Sequence, residues 1–324
     1  MVTGGAGYIG SHACKALARS GWHPVSYDDL SQGHRALVKW GPLEEGDIRD
    51  RARLDAVFAR WRPQAVLHFA ALSQVGASVR QPDLYRDVNV AGTECVLDAM
   101  RVAGVDTLIF SSTAAVYGVP EHLPITEATP VAPTNPYGET KAVAEGAIRR
   151  AADGGKLRYA ILRYFNAAGG DPDGETGESH EPETHLIPNA LAAALGKAPA
   201  LEVFGDDYPT PDGTCIRDYI HVSDVAEAHV RALSRLDAST EPVVCDLGTG
   251  KGVSVREIVA AVEAVTGRAV PVRKAPRRPG DPPVLYTAAG ETARRKLDWR
   301  PVRSDLASIV QDALLWQTSC KVAG

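Results

Sequence analysis

Tyr137 and Lys141, four residues apart in "TNPYGETK" (134–141), form the pair best suited to chemistry in this chain. On a helix that spacing is about one turn, so both side chains lie on one face. Asn135 and Pro136 suit the cap and the first helical position. A phenol beside an ammonium can move a proton, because the positive charge favours phenolate and draws a pKa near ~10 toward working pH. Two exposed polar side chains at a helix start would look the same, so the pair needs a setting. The stretch "VTGGAGYIGS" (2–11) supplies part of it, with Gly4, Gly7 and Gly10 spaced GxxGxxG at a helix start. Gly4 and Gly7 permit a tight turn and close backbone approach, which leaves the helix N-terminus to face a pyrophosphate. The acidic pair Asp28–Asp29 follows eighteen residues after Gly10. A carboxylate at the end of a second strand accepts hydrogen bonds from adenosine ribose hydroxyls and repels a 2′-phosphate, which favours NAD over NADP.

These residues require alternating strands and helices to place them. The runs "AVLHFAA" (65–71), "TLIFSST" (107–113) and "YAILRYFNAAG" (159–169) read as buried strands. Helices are predicted over 10–21, 51–62, 84–104 and 137–152. Such alternation implies an α/β protein with a Rossmann-type, doubly wound parallel sheet covered on both faces. In that arrangement Ser111, Ser112 and Thr113 stand at the carboxyl end of a strand, where ligands bind in open α/β folds. Alone, they would read as a helix cap. Only Met1, Val2 and Thr3 precede the glycines, so the first strand is short or the recorded start lies a few residues late; the second reading is preferred.

After Asn166 the texture changes. The polar, Gly/Pro-rich stretch 169–185 is too long for an ordinary connection and is predicted to be a functional loop. Beyond it come a helix near 186–196, a strand over 200–205, a helix over 223–236 and a buried strand over 242–250 that can return to the first sheet. Ser254 and Glu257 have capping-box spacing before a helix over 256–267. The terminal helix 304–317 has an amphipathic stripe suited to core or interface. The expected division is an NAD-binding Rossmann domain over 1–165 and a smaller, partly interleaved α/β substrate-binding lobe over 166–324.

Composition narrows the function classes. The 324 residues, 44% hydrophobic and 23% charged, are those of an ordinary soluble globular protein. A net charge of −5 argues against broad nucleic-acid binding. No apolar run approaches the ~18 residues of a membrane span, and no secretory leader pattern is read, so the cytoplasm is the default location. Cys14, Cys95, Cys215, Cys245 and Cys320 are scattered and read as free thiols. The histidines show no zinc-ligand spacing, and no metal is expected.

Glycine turn, acidic residue, strand-end hydroxyl and Tyr-x-x-x-Lys, in this order, resemble the extended short-chain dehydrogenase/reductase family. The stretches "VTGGAGYIGSH", "GDIRD", "FSSTAAVYG", "NPYGETK", "LRYFNAAG", "VFGDDYPTPDGTCIRDYIHVSDVAEAH" and "APRRPGD" are similar, over nearly the whole chain, to its NAD-dependent nucleotide-sugar 4-epimerase branch, which acts on UDP-glucose and UDP-galactose. That resemblance implies Tyr137 as catalytic base, Lys141 as the group that lowers its pKa and holds the nicotinamide ribose, and Thr113 as partner of the sugar's 4-hydroxyl. Hydride leaves C4 for NAD, the 4-keto sugar turns over, and the hydride returns to its other face. By the same matching Tyr8, Ile9, Asp28, Asp47, Ile48, Phe69, Ala70, Ala71 and Phe165 line the cofactor, with Gly4, Gly7 and Gly10. Asn166, Leu186, Arg217, Tyr219, Arg278, Asp281 and Leu285 hold the UDP-sugar, the arginines being suited to a diphosphate. A homodimer through a helical interface is implied as well.

Val88 and Ser73 depart from the family's commoner asparagine and lysine, which touches individual contacts. A 4,6-dehydratase of the same scaffold needs acidic residues where this chain has Ala114 and Ala115, and alanine cannot transfer a proton. A non-enzymatic NAD sensor would not need Thr113, Tyr137 and Lys141 together. Other UDP-sugars, N-acetylglucosamine or xylose, stay open as substrates.

Overall fold

The short apolar runs separated by polar-faced helices fold, in the computed structural model, around one parallel sheet. The structure describes residues 1–278 and 282–319. Its strands are β1 (Val2–Thr3), β2 (Ser26–Asp28), β3 (Leu43–Glu45), β4 (Val66–His68), β5 (Thr107–Thr113) and β6 (Arg158–Tyr164), then β7 (Asn166–Ala168) and β8 (Leu201–Phe204). They continue with β9 (Ile216–His221), β10 (Val243–Leu247), β11 (Gly252–Ser254), β12 (Val272–Ala275) and β13 (Val284–Leu285). Seven of them form the main sheet in the order β10-β6-β5-β4-β1-β2-β3, all parallel. The chain winds outward to β3 and then crosses to β4 on the other side of β1. The crevice between β1 and β4 is therefore the topological switch point, where such sheets bind ligands.

Both faces are covered because the strands alternate their buried side chains. Ile109 and Leu162 point to a core with Leu17, Val225 and Leu233, built on helices Tyr8–Arg19 and Val222–Ala238. Leu108, Phe110 and Ile161 point to the opposite core with Val57, Val96 and Ile148, built on helices Arg51–Trp61, Gly92–Ala103 and Pro136–Ala152. Each large side chain so buried contributes about 1.5–3 kcal/mol. The strand predicted over 242–250 is β10, paired in parallel with β6.

The second lobe rests on a four-stranded sheet of β11, β9, β13 and β7, and on the parallel pair β12–β8. Helices Leu186–Ala194, Val255–Thr266 and Leu306–Ser319 close it over Ile187, Leu191, Val262 and Val310. Ser254 caps the second of these in a complete capping box with Glu257. Helix Val222–Ala238, by contrast, packs on the main sheet.

Three elements differ from the sequence reading. The run 159–169 is two strands, because the chain leaves the main sheet after Tyr164 and β7 pairs with β9 instead. Apolar periodicity does not register a change of partner. The strand expected over 65–71 ends at His68, and the helix expected over 84–104 begins at Pro82 with a π-helical turn at Asp87–Ala91. Among the described residues no helix is long and apolar enough to cross a membrane.

Candidate active site

Parallel strands put their carboxyl ends on one edge of the sheet, and most of the expected cofactor residues follow directly from those ends. Gly4 follows β1, Asp28 ends β2, Asp47 and Ile48 follow β3, Phe69–Ala71 follow β4, and Phe165 follows β6. Gly4 has φ +73°, and a Cβ there would stand 2.7 Å from Ala70 N. A Cβ on Gly10 would stand 2.0 Å from Gly4 O. Any side chain at either position would break the turn. Gly7 is the extended N-cap of helix Tyr8–Arg19 and makes no side-chain cap hydrogen bond. That helix end, with its unshared N–H groups and positive dipole, fits a pyrophosphate. Tyr8 Oη donates to Gly169 O (2.7 Å), tying the turn to the start of the loop 169–185.

Asp28 is buried and accepts the Ala6 N–H and the Leu30 N–H, both at 2.9 Å. Burial raises its pKa, opposed by those two hydrogen bonds. A carboxylate has about four acceptor sites, so two backbone bonds fix it and still leave capacity for ribose hydroxyls. Asp47 is held by Arg49, which lowers its pKa and also pairs with Asp87. Ile48 is buried against Gly92, while Phe69 packs on the ring of His229 at 4.6 Å. Ile9 packs, partly buried, against the core under the glycine turn.

The three hydroxyls that end β5 have separate fates. Ser111 Oγ pairs with Tyr164 Oη (2.5 Å), and Ser112 Oγ donates to Glu145 (2.6 Å). Thr113 Oγ1 accepts the Ala115 N–H (3.1 Å), so the capping role is real, and its hydroxyl lies against the Tyr137 phenol. Tyr137 occupies the first turn of helix Pro136–Ala152, which Asn135 caps through the Gly138 N–H (2.9 Å). Burial pushes the Tyr137 pKa up to about 12, with Thr113 pulling the other way and Tyr85 adding to the rise. Lys141 is buried one turn along, donates from Nζ to Ser111 O (2.9 Å), and lies 4.7 Å over the Phe110 ring. Burial lowers its pKa to about 8. In the chain without cofactor, burial controls the phenol and the Lys141 ammonium is directed at the Ser111 carbonyl.

The substrate residues gather mostly on β9. Asn166 pairs in register with Tyr219 and donates to Asp218 O (3.2 Å), and Leu285 is in register with Arg217. Arg217 and Tyr219 are two apart on one strand and share a face. Leu285 packs, with Phe165, against the cluster of Ala114, Val116, Tyr117 and Ile125 that follows Thr113. Leu186 opens the helix after the loop 169–185. Arg278 is exposed, with its guanidinium 4.0 Å over the Phe204 ring of β8. Asp281 lies outside the described residues.

Two features of the site escaped the sequence reading. Asn89, in the π-helical turn, is buried and bonds Leu72 N–H (2.8 Å), Leu72 O (3.0 Å) and Thr140 Oγ1 (3.1 Å), locking the loop after β4 to the Tyr137 helix. Asn89, set between Val88 and Val90, was the available signal, since such a side chain can bond nearby backbone groups. Beneath Thr113 lies a buried network. Glu145 takes hydrogen bonds from Ser112 and from Arg163 Nε (2.8 Å), and Arg163 donates to Tyr117 Oη (2.8 Å), which donates to Asp246 (2.8 Å).

A Thr–Tyr–Lys group beside a dinucleotide-type glycine turn, on a Rossmann-type sheet, defines an extended short-chain dehydrogenase/reductase. Residues 1–248 match the NAD dependent epimerase/dehydratase family, and the chain belongs to it. It is 52% identical over 318 residues to a UDP-glucose 4-epimerase of Rhizobium meliloti (strain 1021), covering 98% of this chain and 96% of that one. Among solved structures it is similar to UDP-glucose 4-epimerase from Brucella ovis in complex with NAD, with TM-score 0.94 and 52% identity over 97% of this chain and 96% of that one. It is also similar to the Bifidobacterium longum enzyme in complex with NAD+ and UDP, with TM-score 0.94 and 37% identity over 98% and 97%.

Proposed function

We propose that this chain interconverts UDP-glucose and UDP-galactose by transient oxidation at sugar C4, with NAD retained through the cycle. The observation that carries the reading is the meeting of Thr113 and Tyr137, one turn from Lys141, at the strand edge that also holds the glycine turn. NAD, when bound, supplies the hydride acceptor and donor at C4 and a positive nicotinamide ring. Gly4, Gly7 and Gly10 give its pyrophosphate access to the helix end, and Asp28 takes the adenosine ribose. Thr113 holds the 4-hydroxyl, Tyr137 removes its proton and later returns it, and Lys141 holds the nicotinamide ribose. Ala114 and Ala115 offer no acid or base, which disfavours loss of water from the sugar. Residues 1–165 with β10 and helix Val222–Ala238 carry the cofactor. The remainder takes the UDP-sugar, with Arg217 and Arg278 at the diphosphate. A cytoplasmic homodimer belongs to the same reading, and the exposed Val102 and Val143 on neighbouring helices suit a helical interface. Purified protein is expected to turn UDP-galactose into UDP-glucose without added reductant and to release NAD, not NADP, on denaturation. Binding of NAD with no conversion would make it a sensor, and release of mainly NADP would overturn the role of Asp28.

Leu285 supports a second substrate class. It lies beside Arg217 and packs with Phe165, it matches by resemblance the position where the family gates the C2 substituent, and it is smaller than tyrosine. Weak turnover of UDP-N-acetylglucosamine is therefore expected beside the main pair. Pocket volume changes discrimination by about 1–3 kcal/mol, so Leu285→Tyr should raise the kcat/KM ratio of UDP-glucose over UDP-N-acetylglucosamine by about tenfold or more. An unchanged ratio would remove Leu285 as the gate.

A further inference from the structure

Between Glu178 and His185 the stretch "ESHEPETH" folds back and gathers four metal-type donors. The donor atoms of Glu178, His180, Glu183 and His185 all lie within 4.8 Å of one another. Both imidazoles turn Nδ1 toward the same Glu178 oxygen, His180 from 3.2 Å and His185 in closer contact. Glu183 Oε1 lies 3.7 Å from His180 Nδ1 and 4.0 Å from His185 Nδ1. The two rings are perpendicular with centroids 5.1 Å apart, so their nitrogens converge and the rings do not stack. The Glu178 side chain is 5% exposed, and His180 Nδ1 is a buried nitrogen without a hydrogen-bond partner.

Ion pairing of the two imidazoles with Glu178 and Glu183 holds the metal-free loop, but it crowds the donors. Two imidazoles crowd one carboxylate oxygen, while Glu183 Oε1 already accepts the N–H groups of Thr184 (2.7 Å) and His185 (2.9 Å). A divalent cation among the four satisfies each of them. Neutral imidazoles lend their lone pairs, each carboxylate retains some of its roughly four acceptor sites, and two carboxylates cancel the charge. With metal–donor bonds of about 2.0–2.2 Å, tetrahedral donors sit about 3.3–3.5 Å apart, close to the separations of His180 Nδ1 from Glu178 (3.2 Å) and Glu183 (3.7 Å), and a bound ion would part the closer His185–Glu178 contact.

We propose that Glu178, His180, Glu183 and His185 form a structural zinc site that fixes the loop 169–185 between the cofactor turn and the substrate helix. Four protein donors of this type suit zinc and leave no open position, which is the mark of a structural site. The loop is placed to transmit that order. His180 meets the Tyr8 ring edge-on at 6.4 Å, Ser179 O takes a hydrogen bond from His34 Nε2 (2.9 Å), and Trp316 Nε1 donates to Glu178 O (2.8 Å). His185 is the N-cap of helix Leu186–Ala194.

The test uses untagged protein from zinc-supplemented growth, dialysed against metal-free buffer and analysed for metal. One zinc per chain is expected, removable by a strong chelator with a fall of several degrees in melting temperature, and restored by Zn2+. Co2+ added to stripped protein should give the visible absorption of four-coordinate cobalt. His180→Gln should weaken Co2+ binding by more than about tenfold. If that variant does not fold, the stripped and reloaded parent decides alone. The proposal is overturned by parent protein that binds neither Zn2+ nor Co2+ and melts at the same temperature with and without chelator. It is equally overturned by a folded His180→Gln that binds as the parent does. None of these readings depends on turnover, so they stand apart from the sugar reaction.

Discussion

Tyr137→Phe is expected to lower turnover by about 10²–10⁴-fold, the usual scale for loss of a general acid–base group. At about 1.4 kcal/mol per decade this is a loss of roughly 3–5.5 kcal/mol of transition-state stabilisation. The phenol is the group that meets Thr113 at the strand end, and phenylalanine keeps the ring while removing the one atom that can carry the proton. Because burial holds Tyr137 at about 12, the hydroxyl is protonated at neutral pH in the chain alone. Its work as a base therefore depends on positive charge brought close to it. Lys141 is buried on the same helix face, and a nicotinamide ring would add to it. Fold and NAD content should be those of the parent, as read by circular dichroism and by nucleotide released on denaturation. Turnover within a few-fold of the parent would remove Tyr137 from the mechanism.

Arg163→Met is expected to destabilise the fold by about 3–5 kcal/mol, the cost of stripping one partner from a buried ion pair. Arg163 and Glu145 are each 3% exposed. Burial alone would raise the Glu145 pKa, yet the hydrogen bonds of Arg163 hold it below the ordinary carboxylate range. Removing the guanidinium leaves that carboxylate in the interior with Ser112 and the more exposed Arg149 as its partners, and it also frees Tyr117 from its donor. Urea denaturation of parent and variant reads the loss. The double variant Glu145→Leu/Arg163→Met should recover much of it, because apolar side chains of similar volume carry no stranded charge. A single variant as stable as the parent would mean that the pair contributes nothing to the fold.

What was legible in the sequence is what local chemistry dictates. β5 spans 107–113 as predicted, because an unbroken apolar run ends at a hydroxyl cluster and a turn. The helix at Pro136 begins where Asn135 can cap it and a proline can occupy its first position, and the capping box at Ser254 and Glu257 is equally local. The glycine turn was legible because only glycine allows the contacts at Gly4 and Gly10. The exchange of partners at Phe165 was not, since β6 and β7 carry one continuous apolar pattern and differ only in the strand beside them. β13, two residues long, takes its place from pairing with β9 and has no period of its own. The convergence of Glu178, His180, Glu183 and His185 depends on the turns of a long loop, which spacing rules drawn from zinc fingers do not describe. The partner of the Lys141 ammonium was out of reach for a related reason. Helical spacing places Lys141 on the right face but says nothing of the Ser111 carbonyl that receives its ammonium.

The central claim is that one C4 hydrogen leaves the sugar and returns to it within the site, with Thr113, Tyr137 and Lys141 managing the proton. Its most direct measurement is incubation of the purified chain with UDP-galactose deuterated at C4, in ordinary water and without added nucleotide or reductant. UDP-glucose that retains deuterium at C4 is expected, since the hydride is stored and returned without exchange with solvent. UDP-glucose with the label washed out, or no conversion by protein shown to carry NAD, would contradict it.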